Sequence, residues 1–455
     1  MQHLLERVDT AALRARRLRL MRAAGGRAVL FAGAAPPRNY PANTYPFRAS
    51  SHFLYVVGVP IERAAVLLEG ERFTLYLPDA PADDALWHGP PIPRGLLAER
   101  LDCEVRSLDE LPAALQRGEV ATVPALDAET RALQSRWLGR PVELGRIDRV
   151  DERFVDALID ARLRHDEAAV AQLRLAVEAT AAAHRAGREA ARVGAREWEV
   201  RAAMEAELLA RHCTTAYPPI VTVHGDVLHE RHHHRVLRET DLLLADVGAE
   251  TAGGWAADVT RTWPVGGRFS PTQRDFYALV LAANEAAIAA VRPGVRFRDV
   301  HLVASRVLAA GLVELGVLRG DPDELVADGV HALLFPHGVG HLLGLDVHDM
   351  EDLGDRAGYA PGRTRSTQFG LCYLRLDRDL EPGMCVTIEP GLYRVEAILH
   401  DPRLEPLARD RLDRDRLARF ADVRGIRIED DVLVTAHGAE VLSAAIPKAP
   451  EAVQR

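Results

Sequence analysis

Short apolar runs separated by turn residues fill the chain from Arg27 to Leu77. Ala28-Val29-Leu30-Phe31-Ala32, Phe53-Leu54-Tyr55-Val56-Val57 and Ala64-Ala65-Val66-Leu67-Leu68 read as strands of an α/β domain. The proline-rich stretch from Pro81 to Pro93 breaks this rhythm and reads as a loop. Between Asp151 and Cys213 the period changes to that of long helices, with Val170, Leu173, Val177, Ala181 and His184 along one face. Beyond Ile220 strands return, interrupted by helical patterns at 271–291 and 298–316. A domain boundary is expected near residue 160, giving an N-terminal domain over 1–160 and a second domain over 161–455. No repeat of fixed period is visible.

Composition narrows the class. A chain of 455 residues, 48% hydrophobic and 27% charged, has the balance of an ordinary globular protein of two domains. A formal net charge of −9 offers no positive field for a phosphate backbone, so nucleic acid is excluded as a partner. The segment from Met1 to Met21 is Arg-rich and lacks an apolar h-region, and no apolar run nears the roughly 18 residues of a membrane span. Cys103, Cys213, Cys372 and Cys385 are scattered without CxxC spacing. These features place the protein in the cytoplasm, with reduced thiols and no membrane partner. Lys448 is the only lysine, which removes phosphate-loop, kinase and Schiff-base chemistry together. Asp, Glu and His remain as the material of a site.

Seven acids and imidazoles stand out. The apolar run Leu242-Leu243-Leu244-Ala245 ends in Asp246, and a second strand twelve positions on carries Asp258. Paired strands bring opposite Cβ atoms to about 4.5–5.5 Å, close enough for two carboxylates to grip one cation. Alone, such a pair is also what salt-bridged or solvated aspartates look like. His337, His341 and His348 fall within twelve residues, framed by Gly338 and Gly340, which argue for a loop where backbone packs closely on a site. Glu389 ends a short apolar strand before a Pro-Gly turn, and Glu429 lies opposite Ile426 and Ile428 in an alternating strand. Four strand-end acids with one imidazole carry more charge than one divalent ion needs, which points to two ions, and the oxygen-rich set favours manganese over zinc.

Asp246, Asp258, His341, Glu389 and Glu429 resemble, in order and context, the ligands of the proline-specific pita-bread metallopeptidases, aminopeptidase P and prolidase. Phe47-Arg48-Ala49-Ser50-Ser51-His52-Phe53-Leu54-Tyr55 and Leu86-Trp87-His88-Gly89 look like the N-terminal domain of the same proteins. The resemblance implies an α/β creatinase-like domain followed by an α+β pita-bread catalytic domain, with two divalent ions, Mn2+ by preference. It implies hydrolysis of the bond before a proline at the second position of a peptide, and a homodimer or homotetramer. In that pattern Asp258 and Glu429 bridge the ions, Asp246 completes one set, and His341 and Glu389 complete the other. Glu389 shuttles a proton, while His229, His337, His348 and Arg427 match positions that support the ligands or touch substrate. The two aspartates stand one residue further apart than is usual in the family, which a longer hairpin turn absorbs.

Other readings compete. The insert from Arg394 to Arg424 resembles prolidases, which cleave only dipeptides, whereas the Trp87 loop and N-terminal pattern lean toward aminopeptidase P. Methionine aminopeptidase shares the metal site but lacks such an N-terminal domain. Non-catalytic pita-bread proteins typically lose ligands that this chain retains. His229-Glu230-Arg231-His232-His233 matches the single-zinc H-E-x-x-H signature, but that motif needs a helix and this stretch has poor helical periodicity.

Overall fold

The protein is described by a computed structural model covering residues 2–81 and 83–454. It divides into two compact units, Met1–Ala168 with Ala252–Gly254, and Ala169–Thr251 with Trp255–Arg455.

The first unit is built on a five-stranded mixed sheet in the order Glu104–Ser107, Arg72–Leu77, Ala65–Glu69, Arg27–Phe31, Ala121–Thr122. Its inward faces supply Val29, Phe31, Leu67 and Tyr76, packed with Leu111 and Leu115. The expected strand at Phe53–Val57 is instead a helix, Ser51–Val57, closed by Gly58 in the left-handed region at φ 80°. All seven of its residues are buried, and an apolar run buried on every side carries no period to tell helix from strand. The expected loop from Pro81 to Pro93 contains one short helix, Asp84–His88, whose Leu86 and Trp87 are exposed.

In the second unit, long helices back a set of small antiparallel sheets. The helix Glu167–Ala190 buries Leu173, Val177 and His184, and ends four residues before Gly194. Pro271–Ala290 begins with a capping box between Ser270 and Gln273 and a proline in its first turn, and Phe297–Glu314 follows it. The sheets are Thr260–Pro264, Leu242–Asp246 and Ile220–Thr222; Cys213–Thr215 with Ala249–Thr251; Cys385–Ile388, Asp430–Thr435 and Gly438–Val441; and Gly391–Tyr393 with Gly425–Arg427.

Two buried polar side chains tie these sheets together. Asn284, on the inner face of Pro271–Ala290, donates from Nδ2 to Ile388 O (3.0 Å) and Ile428 O (3.2 Å), and accepts from Lys448 Nζ (2.7 Å). It therefore holds the two chain segments that lead into Glu389 and Glu429. Arg261 is fully buried and donates to Glu429 O (2.6 Å), Asp430 Oδ1 (2.8 Å), Ile446 O (2.8 Å) and Pro447 O (3.1 Å). A buried guanidinium is tolerable only with such a complete set of acceptors. The sole lysine completes this network by donating to Asp430 Oδ2 at 2.6 Å, so its place is structural.

Candidate metal centre

The expected ligands lie at the ends of these sheets. Leu242–Asp246 runs antiparallel to Thr260–Pro264 in a register that sets Asp246 opposite Thr260. Asp258 is thus not the residue facing Asp246, as the sequence suggested. It lies just ahead of the partner strand, two residues before Thr260 and on the same face. Beyond the strands the hairpin continues irregularly, with Val247 N–H on Val259 O (3.1 Å) and Ala257 N–H on Ala249 O (2.9 Å).

His341 lies in an extended segment laid against Cys385–Ile388, not in a helix. Thr387 N–H donates to His341 O (3.0 Å), Glu389 N–H to Val339 O (2.7 Å), and His341 N–H to Thr387 Oγ1 (3.1 Å). Gly340 makes this approach possible, because a Cβ there would stand 1.9 Å from Thr387 O.

Asp258, His341 and Glu429 are buried, and one ligand atom from each lies within 4.8 Å of the others. His341 Nε2 is 3.4 Å from Asp258 Oδ2 and 3.6 Å from Glu389 Oε1. Its Nδ1–H donates to Leu342 O (3.0 Å), which leaves the Nε2 lone pair facing the carboxylates, the tautomer a metal requires. Asp246 accepts from Tyr217 Oη on one oxygen (2.6 Å) and from Arg427 Nη2 on the other (2.5 Å). Glu429 accepts from Thr260 Oγ1 (2.6 Å).

The electrostatics fit a cation. Burial, reinforced by Asp246, pushes Asp258 up to about 8. Burial also lifts Glu389 to about 7, and lifts Glu429 well above the carboxylate range, with Asp258 the leading charge acting on Glu429. Acids crowded this way stay ionised only beside positive charge, and divalent ions would supply it.

The remaining expected residues surround this group. His337 donates from Nδ1 to Gly338 O (2.8 Å) and its Nε2 meets Tyr393 Oη (2.8 Å), so both ring nitrogens are engaged. Burial, with Arg427 nearby, pushes His337 down to about 3, and it is neutral. His348 lies beside His341, with ring centroids 4.2 Å apart and planes tilted by 53°, and donates from Nδ1 to Glu351 Oε2 (3.0 Å). Desolvation and His341 lower its pKa, which leaves Nε2 as an acceptor. His229 is exposed at the rim, with its pKa lowered by desolvation and then by Arg427. Arg427 is buried and bonded to Asp246, Thr260 Oγ1 (3.0 Å) and Tyr393 Oη (3.1 Å).

The H-E-x-x-H stretch forms no helix. Glu230 is taken up by His232 N–H (2.8 Å) and by Arg235 (2.9 Å), so a single-zinc site is not built there. Sequence reasoning missed Tyr217, Tyr393, Thr260, Glu351 and Arg375. Thr260 shares the face of Asp258 and follows it by two residues, a signal available in the alternation. Tyr217 carried none. Arg375 pairs with Glu351 (2.6 Å), and with Tyr373 and Arg365 it borders a cavity of about 210 Å³ beside His341.

Residues 171–436 match the family model described as Metallopeptidase family M24. The chain belongs to metallopeptidase family M24. Residues 13–121 match the aminopeptidase P N-terminal domain, so this M24 member couples that domain to a pita-bread catalytic domain. It is similar to a probable Xaa-Pro aminopeptidase of Aspergillus niger, 33% identical over 423 residues that cover 90% of this chain and 88% of that one. It is also similar to the Xaa-Pro dipeptidase of Homo sapiens, 29% identical over 90% of this chain and 84% of that one. The solved structure of Pseudomonas aeruginosa aminopeptidase PepP superposes with a TM-score of 0.80 at 28% identity, covering 98% and 97% of the two chains. As an M24 member with this ligand group, the protein is a metal-dependent peptidase. Among the described residues no helix is long and apolar enough to cross a membrane.

Proposed function

We propose that this M24 peptidase is an Xaa-Pro aminopeptidase, hydrolysing the bond between an N-terminal residue and a following proline. The observation that carries the reading is the buried Asp258–His341–Glu429 group, joined to full-length similarity with an Xaa-Pro aminopeptidase. We assign residues 1–160 to the N-terminal domain and 161–455 to the catalytic domain. Asp246, Asp258, His341, Glu389 and Glu429 would hold two Mn2+ ions, which when bound supply Lewis acidity and a nucleophile at neutral pH.

The chain's own residues do the rest. Glu389, whose Oε1 lies 3.6 Å from His341 Nε2, would carry a proton to the leaving proline nitrogen. Neutral His348 offers Nε2 as an acceptor for a substrate N–H, and His229 at the rim offers a second contact. Arg427, bonded on three sides, positions Asp246 and Tyr393 rather than moving with substrate. His337 is the acceptor that orients the Tyr393 hydroxyl. The assembly is a cytoplasmic homodimer or homotetramer.

The human relative is a dipeptidase by name, and this supports one alternative, cleavage of Xaa-Pro dipeptides. The deciding experiment strips the enzyme of metal, restores Mn2+, and follows Ala-Pro and Ala-Pro-Ala hydrolysis side by side. We expect Ala-Pro-Ala cleavage, lost in Asp258→Asn and kept in Glu230→Ala. Cleavage of Ala-Pro alone selects the dipeptidase. Failure on both, with metal bound, overturns the proline-peptidase reading.

A further inference from the structure

The run His232-His233-His234 is a short His-rich tract of the kind that binds metal, and the metal centre described above does not use it. The segment is extended. It runs antiparallel to the chain entering the helix Glu197–Leu209, with Glu197 N–H on Arg235 O (3.0 Å), Trp198 N–H on His233 O (2.9 Å) and Leu237 N–H on Ala195 O (2.8 Å). Successive side chains of an extended segment point to opposite sides. His233 is half-buried and its Nδ1–H donates to Val221 O (3.2 Å), whereas His232 and His234 are exposed on the other side. Their ring centroids lie 6.3 Å apart with planes at 64°.

A His-x-His pair on one face of an extended segment can chelate. Two imidazoles held by one ion at about 2.0–2.1 Å per nitrogen, near right or tetrahedral angles, have centroids about 4.5–5.5 Å apart. The observed separation is roughly 1–2 Å greater, which rotation of two surface side chains closes without moving the backbone. That backbone is well held. The Glu230 carboxylate accepts from His232 N–H (2.8 Å) and pairs with Arg235 (2.9 Å), and Arg196 donates to His234 O (3.1 Å) while lying over the Trp198 ring (4.9 Å). Both neighbouring guanidiniums are thus engaged by other groups. Among the described residues no third His, Cys, Asp or Glu atom joins the pair, so water completes the coordination. Imidazole nitrogen selects Cu2+, Ni2+ and Zn2+ over Mn2+, and affinity along the first row peaks at Cu2+.

We propose that His232 and His234 chelate one late first-row transition-metal ion, Cu2+ above all, at the surface of the second unit. The site shares no residue with the Asp258–His341–Glu429 group and does not depend on the peptidase reading. It differs in kind from that buried carboxylate group: nitrogen ligands at the surface leave Mn2+ in solution and take the later ions.

The test is titration of Cu2+ into the full chain, free of any affinity tag and saturated with Mn2+, read by calorimetry and by electron paramagnetic resonance. One Cu2+ is expected to bind with the superhyperfine pattern of two imidazole nitrogens. His232→Ala and His234→Ala, both at exposed positions, should each weaken this ion at least about tenfold. Asp258→Asn and His233→Ala should keep it, with circular dichroism verifying that each variant is folded. Unchanged Cu2+ affinity in both exposed variants, a signal without two nitrogens, or binding lost in Asp258→Asn and kept in His234→Ala would each overturn the proposal. An equal loss in folded His233→Ala would do so too, because that ring faces the other way.

Discussion

Replacing Gly340 with alanine is the sharpest test of how the metal centre is held together. A Cβ at this position would lie 1.9 Å from the Thr387 carbonyl oxygen, whereas real Cβ contacts stay beyond 3.0 Å. The segment bearing His341 must therefore retreat from Cys385–Ile388 by at least 1.1 Å, the difference of those two values. No side chain can rotate away, because the obstacle is backbone. The retreat strains the bonds His341 N–H to Thr387 Oγ1 and Glu389 N–H to Val339 O, and so parts two expected ligands. Metal–ligand distances tolerate about 0.2 Å, several times less than this displacement. We expect Mn2+ affinity to fall about 100-fold or more, equivalent to about 2.7 kcal/mol, with an overpacking cost to the metal-free fold of about 1–3 kcal/mol. Gly338→Ala is the graded control, since its Cβ would meet Leu374 Cα at 3.0 Å and needs only a small adjustment. Calorimetric Mn2+ titration of both variants, with circular dichroism to verify folding, reads the result. Wild-type affinity in Gly340→Ala, or equal losses in the two variants, would falsify the argument that this close approach sets the ligand geometry.

Three further outcomes are expected. Asp258 at about 8 and Glu389 at about 7 are raised, so the metal-free fold holds protons that the unfolded chain has released, and its stability falls as pH rises toward 8. The depressed histidines, including His337 at about 3, oppose this trend only below their ordinary value of 6.5. Between about pH 6.5 and 8 the metal-free enzyme should lose up to about 1.4 kcal/mol of stability per pH unit for each proton, read as a falling melting temperature, while Mn2+-loaded enzyme should not; a flat metal-free profile would contradict the crowding of carboxylates. Tyr217→Phe removes the hydroxyl on Asp246 and should weaken Mn2+ about 10–100-fold, as read by titration; unchanged binding would show that Arg427 alone orients that carboxylate. Lys448→Met strips a donor from buried Asp430 and from Asn284 and should cost about 1–3 kcal/mol in urea denaturation, with an unmoved midpoint counting against the network.

The fold class was legible in the sequence, and so were the residues that the structure brings together at the candidate site. Asp246, Glu389 and Glu429 announce themselves because a carboxylate at the end of an apolar strand is costly without a cation, and Gly338 and Gly340 flag a tight backbone approach. What the pattern does not carry is register. Asp246 faces Thr260 because the hairpin is irregular beyond its strands, a detail set by hydrogen bonds between Val247 and Val259 and between Ala257 and Ala249. Phe53–Val57 misleads for a different reason: burial on all sides erases the period that would reveal a helix. Tyr217, and the partners of Arg261 and Asn284, are fixed by contacts far apart in the chain, and no local spacing points to them.

The acceptors of Arg261 have a consequence for biosynthesis. Two of them, the carbonyls of Ile446 and Pro447, lie more than 180 residues downstream of the guanidinium they satisfy. While the chain is being made, the Asp258 hairpin emerges long before those carbonyls exist, and its arginine cannot be buried without them. The second unit therefore closes last, by long-range pairing of the kind that slows folding. A nascent chain stalled short of Pro447 would keep the hairpin open and the ligand group unassembled, so competence for metal waits until Ile446 and Pro447 have been made.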